Sequence, residues 1–417
     1  MRRMLVLFSI TILCAPSRLN AQVTAIKAGR LVDPDKGSVV EDRVIVIEGS
    51  RIKAVGPRLA IPAGAQIIDL SDAVVLPGLF DAHTHLCLST DRPRDNGNFF
   101  FTTIMETNAY RAIEGVANAR ALLESGFTTI RDLGNAGNYA DTDLRHAIED
   151  GWVPGPTIIN AGRIIAPYGG QFHLQPERRE LGEPEYFYAD TQDELEKAIR
   201  ENIHYGARVI KLVADDQPYV YSVGDFEFVV EEARRAGLKV AVHAGVRDGG
   251  SPHNAIAARV ASIEHGFRIS DEDLELMKKN DVVLVGTDFT AEAEREAPLP
   301  TGWHKLCVDR LRRAYRIGVT MAYGTDLAFR QPGETRGTLS IAEIESWVEA
   351  GIPAPVILKA LTINAARLLG VEKERGRIEP GLAADIIATR DNPLDNIQTL
   401  KKVTFVMKEG KVFKANP

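Results

Sequence analysis

The chain has 417 residues, 45% of them hydrophobic and 26% charged, enough to bury a large core in two or three domains or in one barrel with an appendage. A formal net charge of −7, without basic runs or basic residues interleaved with aromatics, argues against a nucleic-acid partner. The chain shows no repeat of solenoid period and no low-complexity tract, which sets aside array architectures.

The first stretch, "MRRMLVLFSITILCAPSRLNAQ", has Arg2 and Arg3, then an apolar run over 4–15, then a polar segment ending in Ala21. That is the layout of a secretory signal peptide, expected to cover 1–21, and its apolar run is too short to span a membrane as a mature helix. Cleavage is expected after Ala21, although Leu19 is bulky for the position two before it. The large Leu13 before Cys14 argues against lipoprotein processing. The mature chain is therefore expected to be periplasmic or secreted, with no further segment of membrane-spanning length. Removing the signal leaves Cys87 and Cys307, which define no disulfide framework and read as buried or free thiols.

Residues 22–77 alternate short strands with turns ("VIVIEGSRIKAVG") and carry no long helix, and the tail 372–417 reads the same way. Two β segments flanking a central region pair most simply into one small β-sandwich built from both termini. Between them, over 78–371, apolar β-rich runs recur at 79–83, 128–132, 157–161, 209–213, 239–243, 261–265, 282–286 and 319–323. Helical patterns fill the gaps at 108–125, 141–149, 191–205, 226–236, 253–260, 270–279 and 304–317. Ser270 followed by Asp273 reads as a capping-box start, and Gly126, Gly206, Gly237 and Gly318 each stop a helix just before a strand. Eight strands alternating with helices predict an α/β fold, a (β/α)8 TIM barrel carrying the small β-sandwich.

The stretch "VVLPGLFDAHTHLCLS" (74–89) ends its strand on Asp81, His83 and His85. Residues two apart point to one side of a strand, so both imidazoles face one place. Alone, this reads more often as a polar strand end than as half of a metal site. Cys87 lies two residues further on, but harder ligands are at hand. Of nine histidines, four sit at or just past strand ends: His83, His85, His243 and His265. Lys211 lies inside the fourth run, in "RVIKLVAD", and Asp326 follows the eighth, in "AYGTDLA". The carboxyl ends of barrel strands converge on one mouth, so five strands deliver these side chains to a single rim, which points to metal.

Imidazole and carboxylate ligands suit zinc and related divalent ions. Lys211 reads either as a snorkelling lysine or as a neutral amine that has captured carbon dioxide, giving a carbamate able to bridge two metals; burial favours the neutral amine. Two metals about 3.5–4 Å apart would hold a bridging hydroxide and polarise a carbonyl. Asp326 could take the hydroxide's proton and hand it to a leaving amine.

These motifs, "VLPGLFDAHTH", "VIKLVADD", "VAVHAG", "SIEHG", "GTD" and "TINAARLLGVEKERGRIEPGLAADIIA", resemble the amidohydrolase superfamily, specifically its imidazolonepropionase-related branch with a carboxylated lysine. The resemblance runs through nearly the whole mature chain. It implies that His83, His85 and Asp326 bind the first metal, that His243 and His265 bind the second, and that carboxylated Lys211 bridges them. It also implies a dipeptidase of the Xaa-Pro or Xaa-basic kind or an N-acyl amino acid hydrolase, with octamers or other homo-oligomers common among relatives. Dipeptide-cleaving relatives often place an oxyanion-binding tyrosine two residues after the third histidine, where this chain has Gly245. An "ASGG" stretch often follows the lysine, where this chain reads "ADDQPYVYS", and "YGGQFH" resembles a Gly-Gly-His element with two residues inserted before His173. Tyr219, Tyr221 or His173 are candidates for the missing donor and for substrate contact, and Arg330 for a substrate carboxylate. The reading is a binuclear metal-dependent hydrolase of amide bonds in small peptides or N-acyl amino acids. The alternatives are a cyclic amide hydrolase or deaminase, which often lack the bridging lysine, and a non-catalytic binding protein on the same barrel.

Overall fold

Strand β1 (Val23–Asp33) turns through a tight loop into β2 (Ser38–Glu48), and β3 (Arg51–Pro57) and β4 (Gln66–Pro77) follow. These elements belong to a computed structural model that describes residues 22–416 except 135, 248–249 and 297–300. The expected signal peptide, 1–21 with Cys14, lies outside the described residues.

The barrel positions are β5 (Leu79–Thr84), β6 (Phe127–Asp132), β7 (Thr157–Asn160) with β8 (Ile164–Ala166), β10 (Ile210–Val213), β11 (Val240–Ala244), β12 (Ser262–His265), β13 (Val283–Val285) and β14 (Met321–Ala322). An additional strand, β9 (Tyr186–Tyr188), precedes β10, and β15 (Ile386–Thr389), β16 (Phe405–Lys408) and β17 (Lys411–Ala415) close the chain.

Both termini build one sheet in the order β17-β16-β15-β4-β1-β2-β3. Strand β4 is its seam, parallel to β1 and antiparallel to β15. The sheet curls until its far edge meets the segment before β15, where Ile52 N donates to Leu382 O at 2.9 Å and Ala384 N donates to Ser50 O at 2.9 Å. The inner faces enclose Ile26, Ile45, Ile47, Val75, Ile386, Phe405 and Met407, all buried, which is the sandwich core.

Strand β4 passes through Pro77-Gly78 into β5. A side chain at Gly78 would meet Thr128 Oγ1 at 2.1 Å, so only glycine lets the sandwich strand run this close to the barrel. The barrel strands pair in parallel, β5-β6-β7 and β8-β10-β11-β12-β13-β14. Bonds that join the arcs include Ala82 N to Tyr323 O at 2.8 Å and Arg208 N to Asn160 O at 2.7 Å. Strand residues are buried almost throughout, as expected where helices cover one face and the barrel interior the other. The third position departs from the single run expected at 157–161. It breaks at Gly162 (φ 69°), with β7 pairing to β6 and β8 pairing to β10 and β9.

The surrounding helices include Asn108–Glu124, Ala140–Glu149, Gln192–His204, Val223–Arg235, Ser251–Ala257, Asp271–Asn280 and Trp303–Ile317. Thr191 with Glu194 and Ser222 with Asp225 form complete capping boxes, each cap contributing about 1 kcal/mol. At Ser270 the hydroxyl accepts from Asp273 N at 3.0 Å, while Asp273 Oδ1 lies 2.9 Å from His253 Nδ1. Among the described residues no helix is long and apolar enough to cross a membrane.

Candidate metal centre

Asp81 sets the geometry of the first two histidines. Its Oδ1 accepts from His83 N and Thr325 N, both at 3.1 Å, and its Oδ2 accepts from Thr325 Oγ1 at 2.7 Å. This ties β5 to the loop after β14, and Asp326 N donates to His83 O at 2.8 Å. Burial pushes the Asp81 carboxyl up to about 7. His265 (φ 70°) and Asp326 (φ 56°) both lie in the left-handed region, a strain of about 1–3 kcal/mol each that surrounding contacts must hold.

Six side chains, His83, His85, Lys211, His243, His265 and Asp326, line one cavity of about 250 Å³ at the carboxyl ends of the strands. Asp326 Oδ1 lies 3.0 Å from His85 Nε2 and 3.6 Å from His83 Nε2, and its Oδ2 lies 3.6 Å from His265 Nδ1. The His83 and His265 ring centres are 5.1 Å apart, and those of His243 and His265 are 4.3 Å apart. Three of the four rings are anchored through Nδ1. His83 Nδ1 meets Glu264 Oε2 at 2.8 Å, His85 Nδ1 meets Gly134 O at 2.8 Å, and His265 Nδ1 meets Thr287 Oγ1 at 2.9 Å. Behind His83, Arg131 reaches across the barrel interior from β6 and donates to Glu264 Oε1 at 2.7 Å.

Burial and the neighbouring Lys211 hold His83 well below the usual imidazole range; burial, with His243 and His83 beside it, does the same for His265. Both are thus neutral, the form whose lone pair binds a metal. Burial would lower His85, but the hydrogen bond and charge of Asp326, with Asp132 and the Gly134 carbonyl, together raise it. Burial would raise Asp326, but His83, His85 and Lys211 bring it down to about 2. Burial pushes the Lys211 amine down to about 8.

The donor set fits divalent ions. Among the described residues, His83 Nε2 and Lys211 Nζ are buried without a hydrogen-bond partner, an arrangement that costs free energy unless something binds them. His83, His265 and Asp326 offer ligand atoms within 4.8 Å of one another, as do Asp215, Asp216 and His243.

Four expected substrate or catalytic residues stand away from this cavity. Tyr221 is buried against Phe226 and its hydroxyl donates to Ala189 O at 2.6 Å, a packing role that replaces the expected oxyanion contact. Tyr219 donates to Tyr168 O at 3.0 Å on the exposed surface. His173 is exposed at φ 49° outside the cavity wall. Arg330 pairs with Glu114 on the far side of Phe329 rather than reaching the cavity. Cys87 is buried and its sulfur faces Gly115 on the helix behind the strand, so it is no ligand.

The sequence reading missed Glu264, Arg131, Thr287, Asp215 and Asp216 as partners of the histidines. Glu264 and Arg131 had a signal, since a charge inside an apolar barrel strand must find a buried partner. Thr287 had none, because its contact depends on how β12 and β13 lie side by side.

The amidohydrolase family model matches residues 74–413. Ochratoxinase of Aspergillus niger is 32% identical, over 95% of this chain and 87% of its own length. Imidazolonepropionase of Symbiobacterium thermophilum is 26% identical, over 86% of this chain and 89% of its own. Among solved structures, a Xaa-Pro dipeptidase with bound methionine in the active site matches at TM-score 0.82 and 29% identity, covering 94% of this chain and 100% of its own.

Proposed function

The chain belongs to the amidohydrolase family and is a hydrolase of carbon–nitrogen bonds, and from that premise we propose that it cleaves the amide bond of small peptides, as a dipeptidase, or of N-acyl amino acids. The observation that carries this reading is the convergence of four histidines, Asp326 and a buried, unpartnered Lys211 on one cavity. His83, His85 and Asp326 would hold one divalent ion and His243 and His265 a second, with a carbamate on Lys211 joining them; the nitrogen and oxygen donors suit zinc. When bound, such ions supply an acidified water and a Lewis acid for the amide carbonyl.

The chain's own groups do the rest. Asp326 is ionised at neutral pH, so its carboxylate can accept a proton from attacking water and pass it to the leaving amine. Glu264, backed by Arg131, keeps the His83 ring turned with Nε2 toward the cavity. The same lining includes Leu88, Phe99, Ile164, Phe289 and Phe329, apolar side chains that support a substrate with an apolar or aromatic side chain next to the scissile bond. A side chain at Gly245 would meet Gly266 Cα at 2.9 Å, so no tyrosine fits there and the oxyanion donor must differ from that of the resembled dipeptidases.

The n-h-c pattern of 1–21 supports export of the mature chain. Self-association is supported by Phe101, Ile104, Met105, Tyr110 and Ile113, large apolar side chains exposed on two consecutive helices, Phe99–Met105 and Asn108–Glu124. The similarity to imidazolonepropionase favours a second reading, cyclic amide hydrolysis. Metal-reconstituted protein assayed on dipeptides, N-acyl amino acids and cyclic amides separates the two. Turnover of linear amides with apolar flanks is expected, and turnover of cyclic amides alone would replace the first reading with the second.

A further inference from the structure

The lysine strand continues into "ADD", and both of those acids turn onto His243. His83, His85 and His265 are each held through Nδ1. His243 is held through the other nitrogen: its Nε2 lies 3.3 Å from Asp215 Oδ1 and 3.3 Å from Asp216 Oδ2. A single N–H cannot point at two oxygens at once. It lies between them, and among the described residues Nε2 and Asp215 Oδ1 are accordingly buried without a hydrogen bond of ordinary geometry to any one partner.

The two carboxylates are themselves fixed. Asp215 is buried, and its Oδ2 accepts from Val246 N at 2.9 Å and Arg247 N at 3.4 Å, on the turn that follows β11. Asp216 Oδ2 accepts from Gln171 Nε2 at 2.5 Å, and its Oδ1 lies 3.8 Å from the Arg247 guanidinium. Gln171 belongs to the cavity wall. Two anions facing Nε2 keep its proton there, which leaves Nδ1 as the lone-pair nitrogen, and they raise the basicity of the ring as a ligand.

We propose that Asp215 and Asp216 form an acidic bracket that orients His243 through Nε2 and so sets the affinity of the second metal position. They are positioning residues, and the proposal rests on the two-ion reading above. Because both acids face His243, which belongs to the second position, the bracket tunes one of the two positions and not the other.

The test titrates metal-free, full-length protein with Co²⁺ in bicarbonate buffer, followed by calorimetry and visible absorption. Wild-type protein is expected to show two binding steps. Asp216→Asn, at a partly accessible position, should weaken only the second step, by about 10–100-fold, and Asp216→Glu should restore most of it. Asp215→Asn should do the same, and thermal unfolding of the metal-free variants should match wild type within a few degrees. An unchanged second step in Asp216→Asn, or equal weakening of both steps, overturns the bracket. A single step in the wild-type protein overturns the two-ion reading itself, and a third step assigns the two acids to an ion of their own and overturns the bracket.

Discussion

Lys211 is 2% exposed, its Nζ has no hydrogen-bond partner among the described residues, and burial pushes its amine from 10.5 down to about 8. At pH 7 roughly a tenth of such an amine is neutral, against about 3 in 10⁴ for an ordinary lysine, a gain of about 300-fold in the species that attacks carbon dioxide. In that step the amine nitrogen bonds to the carbon of carbon dioxide and loses a proton. Metal-free protein reconstituted with Zn²⁺ should therefore take up its second ion only with bicarbonate present, and at a fixed partial pressure of carbon dioxide its rate should rise about tenfold from pH 6 to 7 and level above 8. Labelled bicarbonate should give a carbamate carbon resonance that Lys211→Met lacks. Lys211→Met should also remove a penalty in the metal-free protein. Because the folded pKa is depressed, the lysine's full contribution to stability is present above 10.5 and is lost as pH falls through about 8, so the wild type gives up about 3 kcal/mol by pH 7 that the variant keeps. Full two-ion loading of wild-type protein in bicarbonate-free buffer, or an identical pH profile in Lys211→Met, would refute the carbamate.

Asp326→Asn preserves shape and an oxygen ligand but loses the proton acceptor; it should keep much of its metal by elemental analysis while kcat falls by roughly 10²–10⁴-fold. Tyr221→Phe loses only the hydroxyl bonded to Ala189 O, so chemical denaturation should show a loss of about 1 kcal/mol while kcat/KM stays within about twofold. Mature protein from a native host should begin near Gln22 by N-terminal mass spectrometry, and an intact Met1 in active protein would contradict export.

Several features were legible from sequence because each rests on a local rule. Barrel strands buried on both faces read as apolar runs, and a glycine such as Gly318, at φ 88°, ends a helix wherever the chain must turn left-handed. His83 and His85 share a side through strand periodicity alone, and the barrel topology brings them to the rim that also holds His243, His265 and Asp326. Local rules do not say which side chain lies across the barrel or how a loop refolds. Tyr221 read as a candidate oxyanion donor, although an aromatic on a barrel loop more often packs than catalyses, and the structure sets it against Phe226 with its hydroxyl on the Ala189 carbonyl. Arg330 looked free for a carboxylate until Glu114, 216 positions away in the chain, claimed it. The breaking of the third strand at Gly162, the Arg131–Glu264 link behind His83 and the acids facing His243 also belong to the tertiary structure. Periodicity is set by neighbours along the chain, whereas the partner of a buried charge is set by strand register and barrel closure, which join residues remote in sequence.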